Sequence, residues 1–271
     1  MTDMLDSTTL ILVRHGETGW NRIKRLQGQI DIGLSSRGEQ QAALLAERIA
    51  AERTARRQAP GSDAGEKEGM THGMTHGMTH GMTHGKHEAE NDTETPAVLG
   101  RIDAVVSSDL LRAMQTAAPI ARAVGVDVLA DAGLRERHYG VFQGHDGAQI
   151  QARWPEAHAR WKTHDPDFAP EGGESLRELS ARVVGALGAI ASRHPGRTVV
   201  CVAHGGVLDC AYRFATALPL AQPRGCLLLN GSVNRIAWQG ATSDADGPRA
   251  QVLSWADIAH LAQLVETRDD E

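Results

Sequence analysis

Two segments of the 271-residue chain share a syntax that constrains its fold more than any other feature. Leu10-Ile11-Leu12-Val13-Arg14-His15-Gly16 and Val199-Val200-Cys201-Val202-Ala203-His204-Gly205-Gly206 are each a short apolar run that stops at a histidine followed by glycine. Such runs read as strands buried on both faces, and in open parallel sheets ligands bind beyond the carboxyl ends of the strands. The syntax directs both histidines to one site.

The neighbouring elements extend this reading. Ser36 to Glu39 has the form of a capping box that opens a helix, with Ala42, Leu45 and Ile49 at helical spacing and Arg53, Arg56 and Arg57 at its carboxyl end. Ser175 to Glu178 has the same form, and Leu176, Leu179, Val183, Leu187 and Ile190 line one face until His194-Pro195-Gly196. Ile102–Ser107 reads as a strand feeding a helix from Ser108 or Asp109 to about Val124, closed by Gly125. Leu227–Asn230, Val233–Trp238 and Val252–Trp255 read as later strands, the first two joined at Gly231-Ser232. Strands and helices alternate, so the expected class is α/β, a three-layer α/β/α arrangement around a mainly parallel sheet.

One segment lies outside this pattern. From about residue 58 to 97 the composition turns to Gly, Glu, Thr and His, and Met-Thr-His-Gly repeats four times between Met70 and Gly85. It has no packing period and reads as a disordered insertion in a single domain spanning 1–271. His72, His76, His80, His84 and His87 are potential metal ligands. An expanded repeat tolerated in a surface loop is the preferred reading, because loop closure entropy grows slowly with length and histidines without fixed partners bind metals weakly.

Composition narrows the function. A net charge of −6 argues against broad nucleic-acid or acidic-membrane binding. Met1 to Asp6 lacks the charge and apolar run of a signal peptide, and no stretch suits a membrane span, so the expected location is the cytoplasm. Cys201, Cys210 and Cys226 show no metal-ligand or redox spacing and read as small core residues.

The strand ends deliver Arg14 and His15, then Ser107 and Ser108 with Arg112 one turn into the following helix, then His204. Arginine forks match phosphate oxygens, and helix amino termini add N–H donors. Neither a Walker-type loop with lysine nor a magnesium-type carboxylate cluster accompanies them. The expected chemistry is phosphoryl transfer without a metal or other cofactor, by covalent catalysis on imidazole. His138, Asn234 and the Trp154/Trp161 pair read as packing or hydrogen-bonding residues, the tryptophans at the spacing of one helix face.

Leu12 to Thr18 followed by Trp20-Asn21 resembles the signature of the histidine phosphatase superfamily, also called phosphoglycerate mutase-like. The likeness continues through Gln27-Gly28 with Asp31, Leu34 and Gly38, then Ser108 to Ala113 with Gln115-Thr116-Ala117. Leu134 to Gly140 and Ala203 to Val207 complete five ordered matches. The resemblance implies that His15 is the nucleophile, that Arg14, Asn21, Arg112 and His204 hold the phosphoryl oxygens, and that Glu136 is the general acid and base. Gln27, Gly28 and Tyr139 are implied at the substrate rim.

Within the superfamily, Glu136 to Gly140 looks like the cofactor-dependent mutases. Yet Gly147 stands near the position of their substrate-binding lysine, and Arg160-Trp161-Lys162 is the nearest match to their arginine pair. Pro170 to Ser175 resembles the broad-specificity phosphatases and the α-ribazole phosphatase group. The expected activity is a phosphomonoesterase acting on a small phosphorylated metabolite. A mutase is the first alternative and a non-catalytic phosphate binder the second; the oligomeric state is left open, with a homodimer among the options.

Overall fold

The computed structural model describes residues 7–58, 99–240 and 247–266. The segment read as a disordered insertion lies outside the described residues, apart from Gln58. Strand β1 (Thr8–Arg14) leads through α1 (Gly19–Arg22) and α2 (Ser36–Gln58) to β2 (Ala104–Ser107), α3 (Leu111–Val124) and β3 (Val128–Ala130). Helices α4 (Gly147–Arg153), α5 (Pro155–Lys162) and α6 (Leu176–Arg193) follow. The chain ends with β4 (Thr198–Ala203), α7 (Gly205–Thr216), β5 (Val233–Gln239), β6 (Arg249–Asp257) and α8 (Ala262–Glu266).

The six strands form one sheet in the order β3-β2-β4-β1-β5-β6. The first four are mutually parallel, and β5 and β6 add an antiparallel edge. Strand alternation assigns the faces. Leu10 and Leu12 pack with Leu179, Val183 and Leu187 of α6 and with Val207 and Leu208 of α7. Ile11 and Val13 pack on the other face with Leu45 and Ile49 of α2 and with Ala113, Ala117 and Ile120 of α3. Helices therefore cover both faces, as expected for the three-layer class. Each fully buried Leu or Ile contributes about 1.5–3 kcal/mol of transfer free energy to this arrangement.

Several boundaries differ from expectation for identifiable reasons. Ser35, not Ser36, caps α2: its hydroxyl accepts the Gly38 N–H at 3.2 Å. Its own N–H and hydroxyl bind the Glu17 carbonyl at 2.8 and 3.1 Å, which holds it in the cap position. The box of Ser175 and Glu178 forms as expected on α6. Helix α3 begins at Leu111, whose N–H donates to Asp31 Oδ1 at 2.6 Å, and ends at left-handed Gly125. Leu227–Asn230 is not a strand. The Leu227 carbonyl accepts from Trp255 Nε1 and the Leu228 carbonyl from Arg14, so side chains replace a ladder partner.

Trp154 and Trp161 do not share one helix face. Trp154 sits at the junction of α4 and α5, and both rings meet Phe142, with centroids 5.7 and 5.8 Å away. They form a small separate core with Ile150 and Phe168. Asn234 is buried and donates to the Leu12 carbonyl, and His138 accepts the Gly140 N–H, the bonding roles expected of them. At the far side of α2, the Leu99 N–H donates to the Glu52 carboxylate at 2.7 Å. Leu99, the first described residue after 58, is thus tied directly to α2.

Candidate active site

The parallel register of β1 and β4 places Arg14 opposite Ala203, so His15 and His204 emerge side by side at the carboxyl edge. The His15 N–H donates to the Ala203 carbonyl at 3.0 Å, and the His15 carbonyl accepts from Asn230 Nδ2 at 3.0 Å. The two imidazole centroids lie 5.1 Å apart. His15 Nδ1 is 2.7 Å from the Gly16 carbonyl. A carbonyl only accepts, so Nδ1 carries the proton and Nε2 keeps its lone pair.

His204 is fully buried at the start of α7, with Nε2 2.8 Å from Ser108 Oγ. Ser108 Oγ also accepts the Leu110 N–H. With the Ser108 hydroxyl donating to Nε2, the His204 proton sits on Nδ1, a buried atom with no protein partner. Burial pushes both imidazoles well below the ordinary histidine pKa, and the Arg112 guanidinium adds to the effect. Both are therefore held neutral.

Arg112 is fully buried, and its guanidinium donates to the carbonyls of Gly28 at 2.7 Å and Ile30 at 3.0 Å. Arg14 donates to the Leu228 carbonyl. These bonds fix the orientation of both guanidiniums without neutralising them, and the Nε atoms of both have no protein partner. Buried unpaired donors are costly, so their concentration here suits an anionic ligand.

Glu136 faces the same space. Its Oε1 accepts the Arg137 N–H at 2.7 Å, and both carboxylate oxygens lie 3.1 Å from the Gly206 nitrogen at the start of α7. A Cβ at position 206 would stand 2.3 Å from Glu136 Oε1, so glycine is what lets the carboxylate approach the helix terminus. Asn21 Oδ1 accepts from the Thr18 N–H, the Thr18 hydroxyl and Asn230. Its amide can therefore offer a ligand only its NH₂.

These groups surround a cleft of about 190 Å³. Arg14, His15, Asn21, Gln27, Gly28, Arg112, Glu136 and Tyr139 all line it; His204 is not among the lining residues, its ring centroid lying 5.1 Å from that of His15. Gln27 Oε1 is buried there with no protein partner, and burial pushes the Tyr139 phenol upwards. Among the described residues, no group of three or more His, Cys, Asp or Glu side chains could hold a metal ion. The free cysteines are Cys201, Cys210 and Cys226, the first two buried. Burial pushes both of those thiols up to about 12.

Two charged lining residues were not expected from sequence: Arg25 and Arg224. Arg25 adjoins the Gln27-Gly28 motif, which was a usable signal. Arg224 lies on the loop after α7, where the sequence offered none. The mutase-like positions lie away from the cleft: Gly147 opens α4, Arg160 pairs with Asp165 at 2.9 Å, and Lys162 lies over Trp161.

The model of the histidine phosphatase superfamily (branch 1) matches residues 10–57 and 76–248. Phosphoglycerate mutase-like protein 4 of Arabidopsis thaliana is 32% identical over 96% of this chain and 89% of its own length. A metal-independent phosphoserine phosphatase of the same plant is 32% identical over 95% and 84%. Among solved structures, a mycobacterial glucosyl-3-phosphoglycerate phosphatase in complex with VO3 superimposes with a TM-score of 0.65 at 27% identity, covering 91% of this chain and 98% of its own. The chain belongs to the histidine phosphatase superfamily.

Proposed function

We propose that this protein hydrolyses a small phosphorylated metabolite through a phosphohistidine formed on His15. The observation that carries the reading is the His15 Nδ1 contact with the Gly16 carbonyl, which leaves Nε2 as a neutral nucleophile among fixed arginines. Nε2 attacks phosphorus, the P–O bond to the alcohol breaks, and Glu136 supplies the proton that the alkoxide needs. Glu136, now a carboxylate, takes a proton from water as the water oxygen attacks phosphorus. The P–N bond breaks, phosphate leaves and the lone pair returns to Nε2.

Arg14, Arg112, the His204 Nδ1–H and the Asn21 NH₂ hold the phosphoryl oxygens throughout. They accelerate the reaction to the extent that they bind the transferring group more strongly than the ester. Gln27, Gly28 and Tyr139 shape the wall against the leaving group. The proposed ligand is a small metabolite rather than nucleic acid or membrane, and the proposed location is the cytoplasm. No helix among the described residues is long and apolar enough to cross a membrane.

Acid quenching after mixing with ³²P-labelled substrate tests the covalent step. The expected product is an acid-labile, alkali-stable phosphoenzyme that is absent from His15→Ala. An intact phosphoenzyme in that variant would overturn the assignment. Hydrolysis is preferred to phosphoryl return because Arg160 and Lys162 do not reach the cleft. Isomerisation of 3-phosphoglycerate only with 2,3-bisphosphoglycerate present, without phosphate release, would reverse that preference.

A further inference from the structure

The cleft holds more positive charge than the phosphoryl group requires. Four arginines line it, Arg14, Arg25, Arg112 and Arg224, against one carboxylate, Glu136. Arg14, the residue before His15, and buried Arg112, fixed by the Gly28 and Ile30 carbonyls, are the two that the proposed reaction uses for the transferring group. Arg25 and Arg224 are left over.

Neither is neutralised by its surroundings. The Arg25 guanidinium lies 5.4 Å from the centroid of the Trp20 ring, pairs with no carboxylate among the described residues, and has a buried Nε without a partner. Among the described residues, the one carboxylate that Arg224 pairs with is Asp209, at 3.5 Å. That carboxylate is already held at 3.0 Å by buried Arg213, so two guanidiniums share one negative charge. The loop that carries Arg224 is pinned at both ends. Arg213 donates to the Pro219 carbonyl at 2.7 Å, and Trp255 donates to the Leu227 carbonyl at 3.0 Å. Arg224 itself remains half-exposed, able to meet a solvated group.

We propose that Arg224, assisted by Arg25, forms an outer anion subsite, and that the preferred substrate is a phosphomonoester whose leaving group carries a second anionic group. This rests on the phosphomonoesterase reading above. Either a carboxylate or a second phosphate supplies the required chemistry. A guanidinium fork binds either, and a charge-assisted contact at a partly desolvated rim is worth about ten- to a hundredfold in affinity.

The test compares kcat/KM within matched pairs. Glycerol 3-phosphate against 3-phosphoglycerate adds a carboxylate, and fructose 6-phosphate against fructose 1,6-bisphosphate adds a phosphate. The expected wild-type preference for the anionic member is about tenfold or more in at least one pair, which identifies the source. Arg224→Gln should reduce that preference towards unity, chiefly through KM, and Arg224→Lys should restore part of it. Equal turnover within both wild-type pairs, or a preference that survives in Arg224→Gln, would overturn the subsite. Failure to hydrolyse any of the four, or p-nitrophenyl phosphate, would instead overturn the phosphomonoesterase reading. Calorimetric binding of 3-phosphoglycerate against glycerol 3-phosphate, to wild type and Arg224→Gln, then decides the subsite independently.

Discussion

His15 and His204 are 3% and 0% exposed and stand at the ends of adjacent parallel strands, whereas Arg224 is half-exposed on a loop without a ladder partner. The floor of the cleft is fixed by backbone hydrogen bonds: Ala203 holds His15, and the Gly28 and Ile30 carbonyls hold Arg112. The rim is fixed by side chains from separate stretches, Arg25 on Trp20 and Arg224 against Asp209. A floor of this kind suits the invariant part of a reaction, the phosphoryl group and its transition state. A rim of this kind can change its preference without disturbing the sheet.

Glu136 stands between the two regions, and its replacement tests the boundary with the largest effect. In Glu136→Gln, esters of poor alcohol leaving groups should slow by about 10²–10⁴-fold. p-Nitrophenyl phosphate should slow far less, because nitrophenolate leaves without a proton. Single-turnover rates with both substrates check this. Equal losses, with phosphoenzyme formation at its normal rate, would confine Glu136 to water activation and assign it to the floor.

A smaller effect separates floor from rim by pH. Burial depresses the pKa of His15 and His204 in the folded protein, so below the ordinary histidine value of about 6.5 the unfolded chain binds protons that the folded chain refuses. Their contribution to stability is present above that value and is lost as pH falls below it, by up to about 1.4 kcal/mol per pH unit for each. Partly buried His260, pushed down to about 4, adds in the same direction. Melting temperatures between pH 7 and 5 should fall less steeply for His204→Gln than for wild type. An unchanged slope would mean that His204 is not buried as a neutral donor.

The floor was legible in the sequence because each of its residues sits where an element begins or ends. A strand run stopping at Arg14-His15, another at His204, and Arg112 just inside a helix are positions that hydrophobic periodicity fixes. The rim was not. Arg224 gave no local signal, and part of its loop, Leu227–Asn230, resembled a strand. What shapes that loop is contact with Arg14 and Trp255, partners distant in sequence. The anchoring of Glu136 on Gly206 was equally invisible, since it joins a loop to a helix start 70 residues away.

The smallest expected effect concerns a region belonging to neither floor nor rim. Replacing Gly61 to Thr93 with a short Gly/Ser linker should leave specific activity within about twofold and the melting temperature nearly unchanged, because the loop-closure term is small. Loss of most activity in metal-free buffer would make the Met-Thr-His-Gly repeats part of the site. A change seen only with added zinc, nickel or copper would mark them as a metal-responsive appendage.

The bond between Glu52 and Leu99 gives that segment a genetic meaning. Leu99, the first described residue after the segment, is bound directly to α2, the helix before it, so the described residues on the two sides are tied together without it. Each Met-Thr-His-Gly unit is a whole number of codons, and gain or loss of a copy by slippage preserves the reading frame on both sides. Copy number can thus change without changing any residue that lines the cleft.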